Sequence, residues 1–507
     1  MSVDEQLKKA VDILSKKSLQ NIVDMVIYPV EPGVFSVLNH EGKITFEYFN
    51  KTQESFKIVE QVGKNPVSNQ DLRTFGTIED QRANMFADNG KNSYPFAYER
   101  ISQVFDHLDS PDLIVLHTPG HYFKEKGGYL GEHGSLDILQ SRAPFIISGN
   151  CINHLGFVDG HIKAVDVMPT LSNLILKASN LNPNKSSESY NYLLNLDGKQ
   201  NSELIDRCLI SDRSFDRLVV FLLDGCNSNI LYSMIQAGEL KNLSYLKDNG
   251  VALNQGTIAS FPSVTLANHT TLLTGYHPGH HGVLHNAWWD RKNQKEIITE
   301  SPTTWHTSMQ YLKDGVKTMF EVLNSNYEDL TTVAINEFAD CGATYSTFDL
   351  IRNMRTEQLL NASNMASDPL AKSSSKFIEN QEYQLASGVD HLAMWQMINI
   401  LDGSWDQRSF KVPDFAWINL TLTDVSFHEA GPDSEMARHA LLDTDERIGR
   451  ILEKLSAKKL LDTTLFVVLA DHGMEETNPL VTGDWDLEMI SAGLSFVDES
   501  NGFIYFK

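Results

Sequence analysis

Short apolar runs alternate with amphipathic stretches through the second half of the chain, and this alternation constrains the fold more than any other feature. The runs typical of buried strands are LVVFLL (218–223), TVAIN (332–336), FAWINLTL (415–422) and TLFVVL (464–469). Helical patterns lie between them, at 230–249 and 436–455. Strands that alternate with helices predict an α/β fold, with a mainly parallel central sheet covered by helices on both faces. In such sheets ligands bind at the carboxyl ends of the strands.

The first half of the chain carries a similar but weaker pattern. Its predicted elements are a helix from Glu5 to about Ser15, a strand meander from Val26 to Tyr48, core strands at 112–116 and 144–148, and a helix at 165–176. Residues 180–202 are polar and rich in Asn and Ser, which is typical of a linker. We therefore predict a segment 1–178, a linker 179–214 and a segment 215–507, which closes with a strand pair near the C-terminus.

Composition excludes some functions and favours a location. The formal net charge of −24 argues against a nucleic-acid polymer as partner, because such proteins concentrate Lys and Arg. The four cysteines show no CxxC spacing and are predicted to be free thiols. The sequence shows neither a signal peptide nor the roughly 20 apolar residues of a membrane span. We expect a soluble cytoplasmic protein that does not act at a membrane.

Three of the apolar runs are followed by aspartates. Asp224 follows the first run, Asp424 the third, and Asp471 the fourth. His428 lies four residues after Asp424, and His472 follows Asp471 directly. Each aspartate alone is typical of a turn or cap, but adjacent carboxylates at one sheet edge require cations to neutralise them. Carboxylates with imidazoles are a zinc-type ligand set, and paired metal ions are a recurrent arrangement for phosphoryl displacement.

A hydroxyl group accompanies these ligands. Residues 261–275 read FPSVTLANHTTLLTG, a pattern that predicts a loop or strand feeding a helix N-terminus near Thr265. Backbone N–H groups at a helix N-terminus are free to hold a phosphate. Thr265 is thus a candidate nucleophile, and the alternative is that it caps the helix.

The strings FLLDG, FPSVTLANHTTLLTGYHPGHHGVLHNAWWD, TDVSFHEAGP and ADHGM resemble those of the alkaline phosphatase superfamily, closest to its type I phosphodiesterase/nucleotide pyrophosphatase branch. The resemblance implies a metal-dependent phosphate ester hydrolase with a threonine nucleophile. It implies two divalent ions, zinc first, with manganese or magnesium as alternatives. One ion would be held by Asp224, Thr265, Asp471 and His472, and the other by Asp424, His428 and a further histidine. Asn286 matches the residue that donates to a phosphoryl oxygen.

The further histidine normally follows the Asp-His pair, but this chain has no histidine after His472. The string GYLGEHGSLD and its flanks resemble the family's C-terminal part, and His133 is the matching residue. The resemblance therefore implies a circular permutation in which residues 1–178 supply that ligand, with a small α+β cap or subdomain on one shared core. Two truncated members fused end to end are the alternative. His117 and His121, in the same loop, are alternatives to His133.

The resemblance leaves the substrate open. It implies attack by Thr265, a covalent phospho-threonine and its hydrolysis, on a small phosphodiester or pyrophosphate. Relatives that take nucleotides carry a stacking Phe where Leu266 stands, so monoesters and phosphonates remain alternatives, as does a catalytically silent metal-binding relative. Trp288 and Trp289 are either an aromatic surface for substrate or core residues. Cys226 is expected to be a packing residue rather than a ligand.

Overall fold

The computed structural model describes residues 2–50, 55–83, 89–124, 127–181, 192–301, 303–353, 377, 379–403, 411–500 and 502–507. The strands are β1 (Val23–Glu31), β2 (Val34–Asn39), β3 (Gly42–Asn50), β4 (Ser55–Gly63), β5 (Leu113–His117), β6 (Gly131–Glu132), β7 (Arg142–Ala143), β8 (Phe145–Ser148), β9 (Gly156–Val158), β10 (Ile162–Lys163), β11 (Arg217–Leu223), β12 (Gly250–Leu253), β13 (Thr257–Ile258), β14 (Ala287–Asp290), β15 (Lys295–Ile298), β16 (Thr332–Ile335), β17 (Tyr345–Ser346), β18 (Phe415–Leu420), β19 (Thr464–Leu469), β20 (Glu475–Glu476), β21 (Phe496–Glu499) and β22 (Phe503–Phe506).

Helices occupy much of the remaining described chain. They are α1 (Val3–Leu14), α2 (Ile78–Ala83), α3 (Ala97–Ser102), α4 (Ile138–Ser141), α5 (Ala164–Ala178), α6 (Ser202–Cys208), α7 (Ser228–Gln236), α8 (Lys241–Asp248), α9 (Thr265–Thr274), α10 (Pro278–His281), α11 (Met319–Asn326), α12 (Thr347–Arg352), α13 (Gln381–Leu401), α14 (Leu422–Ala430), α15 (Glu435–Ala457) and α16 (Asp486–Ser491). In the part of the chain that the structure describes, no helix is long and apolar enough to cross a membrane.

An eight-stranded sheet forms the centre, in the order β17-β16-β18-β11-β19-β8-β12-β9. The first five of these strands pair in parallel, and β8 runs antiparallel to both of its neighbours. Alternate residues of β11 enter two different cores: Val219 and Phe221 pack on one side, Val220 and Leu222 on the other. Helices therefore cover both faces, as buried parallel strands require. The α/β class predicted from the sequence is confirmed.

A second sheet joins the two ends of the described chain. Its seven strands run β21-β22-β5-β1-β2-β3-β4, and all of its pairings are antiparallel. The predicted meander and the predicted C-terminal strand pair are confirmed, but the sequence did not show that they share one sheet. β5 lies between β22 and β1, and its residues Leu113–Leu116 are buried there.

Three predicted elements differ from the structure. The helix expected over 230–249 is two helices, because Gly238 takes a left-handed conformation and closes a Schellman motif at the end of α7. The strand expected to reach residue 422 ends at Leu420. The predicted linker holds α6, whose Leu204 and Ile205 are buried, while its residues 182–191 lie outside the described residues. All four cysteines are free, as predicted.

Candidate active site

Thr265 is the first residue of α9 and is not its cap. The N-cap position belongs to Val264, whose side chain makes no capping hydrogen bond, so the capping interpretation of Thr265 is wrong. The Thr265 hydroxyl lies 3.3 Å from Nε2 of His472. The candidate nucleophile Thr265 therefore lies at the positive N-terminal end of α9, next to one of the predicted ligands.

Asp224 and Asp471 come together at the carboxyl ends of two adjacent strands. Asp224 follows β11 directly and Asp471 follows β19 by two residues, and both side chains are buried. Asp471 Oδ1 accepts a hydrogen bond from the backbone N–H of Gly225 at 3.1 Å. Asp224 Oδ1 is buried and has no hydrogen-bond partner among the described residues, and Asp424 Oδ1 is in the same condition. Such orphaned oxygens are costly unless a cation faces them.

Asp424 corrects one prediction about the strand ends. It lies in the first turn of α14 rather than at the end of β18. The helix begins early because the Asp390 carboxylate of α13 accepts hydrogen bonds from the backbone N–H groups of Thr421 and Leu422. The helical spacing then places His428 one turn later on the same face, with Nε2 3.5 Å from Asp424 Oδ1.

Three histidines within residues 117–133 are candidates for the further ligand. The structure brings His133 next to Asp424 and His472. His133 Nε2 is 3.9 Å from Asp424 Oδ1, and its ring stacks on His472 with centroids 3.8 Å apart. Its Nδ1 pairs with the backbone carbonyl of Ser263 at 2.9 Å, which leaves Nε2 for a ligand. His117 instead accepts a hydrogen bond from Trp485 Nε1, and His121 packs against the His117 ring.

Two groups of ligand atoms result, which we call the inner and outer groups. The inner group is Asp224, His269 and Asp471, and the outer group is His133, Asp424 and His472. Within each group the donor atoms lie within 4.8 Å of one another. His472 Nε2 is also 3.1 Å from Asp471 Oδ2 and thus lies between the groups.

The protonation equilibria of the metal-free chain reflect this crowding. Burial, and then the charge of Asp471, raises the pKa of Asp224 to about 7. Burial lowers the pKa of His472, but the charge and hydrogen bond of Asp471 and the charges of Asp424 and Asp224 together outweigh burial and bring that pKa to about 9. Burial, with His472 and His428 next to it, holds the pKa of His133 well below its ordinary value. The carboxylates of the site lie close enough together for each to alter the protonation of the other. Such crowding of ligand groups fits a site that binds divalent cations.

Asn286 lies beside the nucleophile. Its Oδ1 accepts a hydrogen bond from the backbone N–H of Leu266 at 3.0 Å, which fixes the amide next to Thr265. A hydrogen bond with Asn286 lowers the pKa of Glu300, although burial of Glu300 raises it more.

The aromatic and sulfur candidates take no part in this arrangement. Trp288 and Leu266 are buried together in one apolar cluster, and Trp289 packs against another. Cys226 is fully buried, and burial raises the pKa of its thiol. The core interpretation of Trp288 and the packing interpretation of Cys226 are confirmed.

Two residues of this region were missed from the sequence. His269 lies one helical turn after Thr265 in α9, and its Nδ1 pairs with Glu337 Oε2 at 2.9 Å. Glu337 follows β16 by two residues, so it is a third acidic residue just beyond the carboxyl end of a strand of the central sheet. The available signals were the i, i+4 spacing from Thr265 and the acid that follows the run TVAIN.

Comparison with known proteins identifies the family. Residues 218–493 match the sequence model of the family described as type I phosphodiesterase / nucleotide pyrophosphatase. The match spans more than half of the chain, and the chain belongs to this family.

Relatives and solved structures are similar at lower levels. Ectonucleotide pyrophosphatase/phosphodiesterase family member 3 of Bos taurus is 25% identical over 268 residues, which cover 51% of this chain and 25% of that protein. Venom phosphodiesterase of Naja atra is 24% identical over 296 residues, which cover 55% and 29%. The chain thus spans between a quarter and a third of these relatives. Murine ectonucleotide pyrophosphatase / phosphodiesterase 5 aligns with a TM-score of 0.40 at 19% identity, over 57% of this chain and 66% of that one.

Proposed function

We propose that the protein hydrolyses small phosphate esters as a phosphodiesterase or nucleotide pyrophosphatase, with Thr265 as the nucleophile. The observation that carries the proposal is the position of the Thr265 hydroxyl, at a helix N-terminus and 3.3 Å from His472 Nε2. In the same site, buried carboxylate oxygens of Asp224 and Asp424 have no hydrogen-bond partner among the described residues. A hydroxyl between unsatisfied anionic ligands suits phosphoryl transfer assisted by divalent cations.

The donor set fits two divalent ions. Asp224, Thr265, Asp471 and His472 would hold one, and Asp424, His428 and His133 the other. Mixed oxygen and imidazole donors favour zinc, with manganese or magnesium as alternatives. When bound, such ions supply charge neutralisation for the phosphoryl oxygens and increase the acidity of a hydroxyl.

The residues of the chain account for the remaining chemistry. Thr265 Oγ1 forms a bond to phosphorus while the bond to the leaving oxygen breaks, which gives a phospho-threonine. Water then attacks phosphorus, inorganic or monoester phosphate leaves, and the hydroxyl is regenerated. Asn286, whose Oδ1 accepts the Leu266 N–H, would donate from its amide to a phosphoryl oxygen.

We also propose that residues 1–178 and 215–507 form one catalytic core with a circularly permuted order. His133 and β8 both come from before the predicted linker, and β8 lies between β19 and β12 in the central sheet. The first helix and the last strand are also neighbours, since Gln6 Nε2 donates to the backbone carbonyl of Lys507 at 2.8 Å. Each motif occurs once, which favours one permuted unit over two fused members.

A substrate panel tests the proposed activity. Bis-p-nitrophenyl phosphate, p-nitrophenyl phosphate and p-nitrophenyl phenylphosphonate are assayed with added zinc and with chelator. We expect turnover that chelator abolishes, fastest on the diester. Fastest turnover of either other ester would move the assignment to a monoesterase or phosphonate hydrolase, and no turnover of any would favour a silent metal-binding relative.

The nucleophile is tested with a matched pair of variants on α9. Thr265→Ala is expected to abolish turnover while zinc content and fold are kept. Thr270→Ala removes a hydroxyl that bonds only to the Leu266 carbonyl and is expected to keep turnover. Undiminished activity in Thr265→Ala would contradict the assignment.

A further inference from the structure

His269 is a fully enclosed imidazole near the site, and the family resemblance gives it no role. Its side chain has no exposed surface, and neither has that of Glu337. Glu337 contacts His269 Nδ1 with both carboxylate oxygens, at 3.1 and 2.9 Å. One of these oxygens also accepts the backbone N–H of Ala339. Glu337 is thus a fixed acceptor, and Nδ1 of His269 carries the hydrogen that it accepts.

The other ring nitrogen points at the inner carboxylates. His269 Nε2 lies 3.6 Å from Asp224 Oδ2 and 3.7 Å from Asp471 Oδ2, and it has no hydrogen-bond partner among the described residues. The ring that Glu337 holds therefore borders both carboxylates on the side of their Oδ2 atoms.

The two carboxylate oxygens of Asp224 have different neighbours. Its Oδ2 faces His269, while its unpartnered Oδ1 lies 4.0 Å from His472 Nε2. Asp471 is fixed similarly, because its Oδ1 accepts the Gly225 N–H. Rotation of either carboxylate would turn the oxygen that faces His472 away from it.

We infer that His269, held by Glu337, is a positioning residue that orients the Asp224 and Asp471 carboxylates for the ion beside Thr265. The inference rests on the ion site of the proposed function and adds to it a residue pair that contacts ligands rather than the ion. Partners of ligating carboxylates typically govern metal affinity by 10- to 100-fold.

The test measures zinc binding in the absence of substrate. Zinc stoichiometry and affinity are determined by competition with a chromophoric chelator, for wild type, His269→Ala, His269→Gln and Glu337→Gln. We expect two ions per chain throughout at saturating zinc, with one affinity weakened about 10- to 100-fold in His269→Ala. His269→Gln is expected to recover part of that loss, because its amide can still donate towards Asp224.

Two further measurements separate positioning from general packing. His281→Gln removes another fully buried imidazole, which contacts Thr271 and the Ala267 carbonyl, and is expected to leave both zinc affinities unchanged. The visible absorption of the cobalt(II)-loaded protein should change in His269→Ala and return towards wild type in His269→Gln.

Each contrary result has a distinct meaning. Wild-type zinc affinities in both His269 variants would overturn this inference and leave the proposed function standing. Loss of one ion at saturating zinc would make His269 a ligand and also overturn the positioning role. A wild-type chain that binds no zinc would overturn the proposed function together with this inference.

Discussion

The inner and outer ligand groups differ in what holds their imidazoles. In the inner group a buried carboxylate, Glu337, holds His269. In the outer group, the backbone carbonyl of Ser263 contacts the His133 ring. The backbone carbonyl of Gly131 likewise contacts the ring of His428, which lies next to the outer group. A charged anchor binds its partner more strongly than a neutral one but adds a buried charge that needs compensation.

The two groups also draw on different parts of the chain. All inner-group residues lie in the stretch that matches the family, whereas the outer group depends on His133 from the first 178 residues. The inner group is also the more enclosed of the two. We therefore expect the inner group to dominate the charge balance of the metal-free protein and the outer group to be separable from it.

The largest expected effect is on turnover in Asp471→Asn. Asp471 faces both His472 and the inner group, so an amide there removes charge from both ion sites. We expect turnover to fall on the order of 10⁴-fold, the size typical of removing one member of a catalytic unit. Turnover within tenfold of wild type would contradict the central place of Asp471.

The free energy of unfolding of the same variant, measured with and without zinc, also tests the comparison between the two groups. Although burial raises the pKa of Asp471, His472 and His269 bring it below its ordinary value, so the carboxylate stabilises the metal-free fold and Asp471→Asn in chelator is expected to unfold at lower urea concentration than wild type. With saturating zinc the difference is expected to widen, because ligand binding stabilises only the chain that holds the ions.

His133→Ala is expected to have the next largest effect. It removes the imidazole that the early segment supplies, so one zinc ion per chain should be lost while the inner group keeps its own. Turnover should fall at least about 100-fold, beyond the effect of losing a metal's indirect partner. Elemental analysis measures the zinc content, and His121→Ala, from the same loop, is the control expected to keep both ions. Two ions in His133→Ala would refute the ligand role and with it the permutation argument.

The sequence predicted the parts of the site that sit beside their own strand. Asp224 and Asp471 could be predicted because an apolar run leads directly to each. Glu337 follows its strand in the same way, but it pairs with a histidine instead of facing the ligand atoms, and no neighbouring residue marks it.

Long-range contacts explain what the sequence could not show. Thr421 and Leu422 continue a strand-like pattern, yet Asp390, some thirty residues earlier, caps them into a helix. The seven-stranded sheet is likewise invisible locally, because β5 pairs with β22 from the other end of the chain. Local sequence patterns predict which helices and strands form. In these two cases, contacts with residues distant in the sequence decide where an element begins and which strand it pairs with.

Gly225→Ala is expected to weaken the outer group selectively. Gly225 has φ +62°, and a Cβ there would lie 2.3 Å from Asp424 Oδ1. Backbone strain should cost about 1–2 kcal/mol, and the contact should displace Asp424 from its position. Gly238→Ala is the matched control, since Gly238 has φ +73° but open space around it. The free energy of unfolding should fall in both variants, and the outer zinc affinity only in Gly225→Ala. An equal zinc affinity in the two would contradict the steric argument.

The smallest expected effect is the pH dependence of the free energy of unfolding of the metal-free protein. A rise in pH lowers the contribution of Asp224 and increases that of His133. The folded pKa of Asp224, about 7, lies above its unfolded value of 3.8, so its stabilising contribution is complete below pH 3.8 and is lost as pH rises through 7. The pKa of His133 is lowered by folding, so its contribution is present above its ordinary value of 6.5 and is lost as pH falls below it.

These opposed slopes partly cancel below pH 6.5, where both groups titrate, and each proton changes the free energy of unfolding by at most about 1.4 kcal/mol per pH unit. Urea denaturation in chelator at pH 5, 6 and 7 separates them. Asp224→Asn should remove the loss of stability at rising pH, and His133→Ala the loss at falling pH. If Asp224→Asn instead left the pH profile unchanged, the inner group would not carry the unpaired charge that the proposed ion is needed to neutralise.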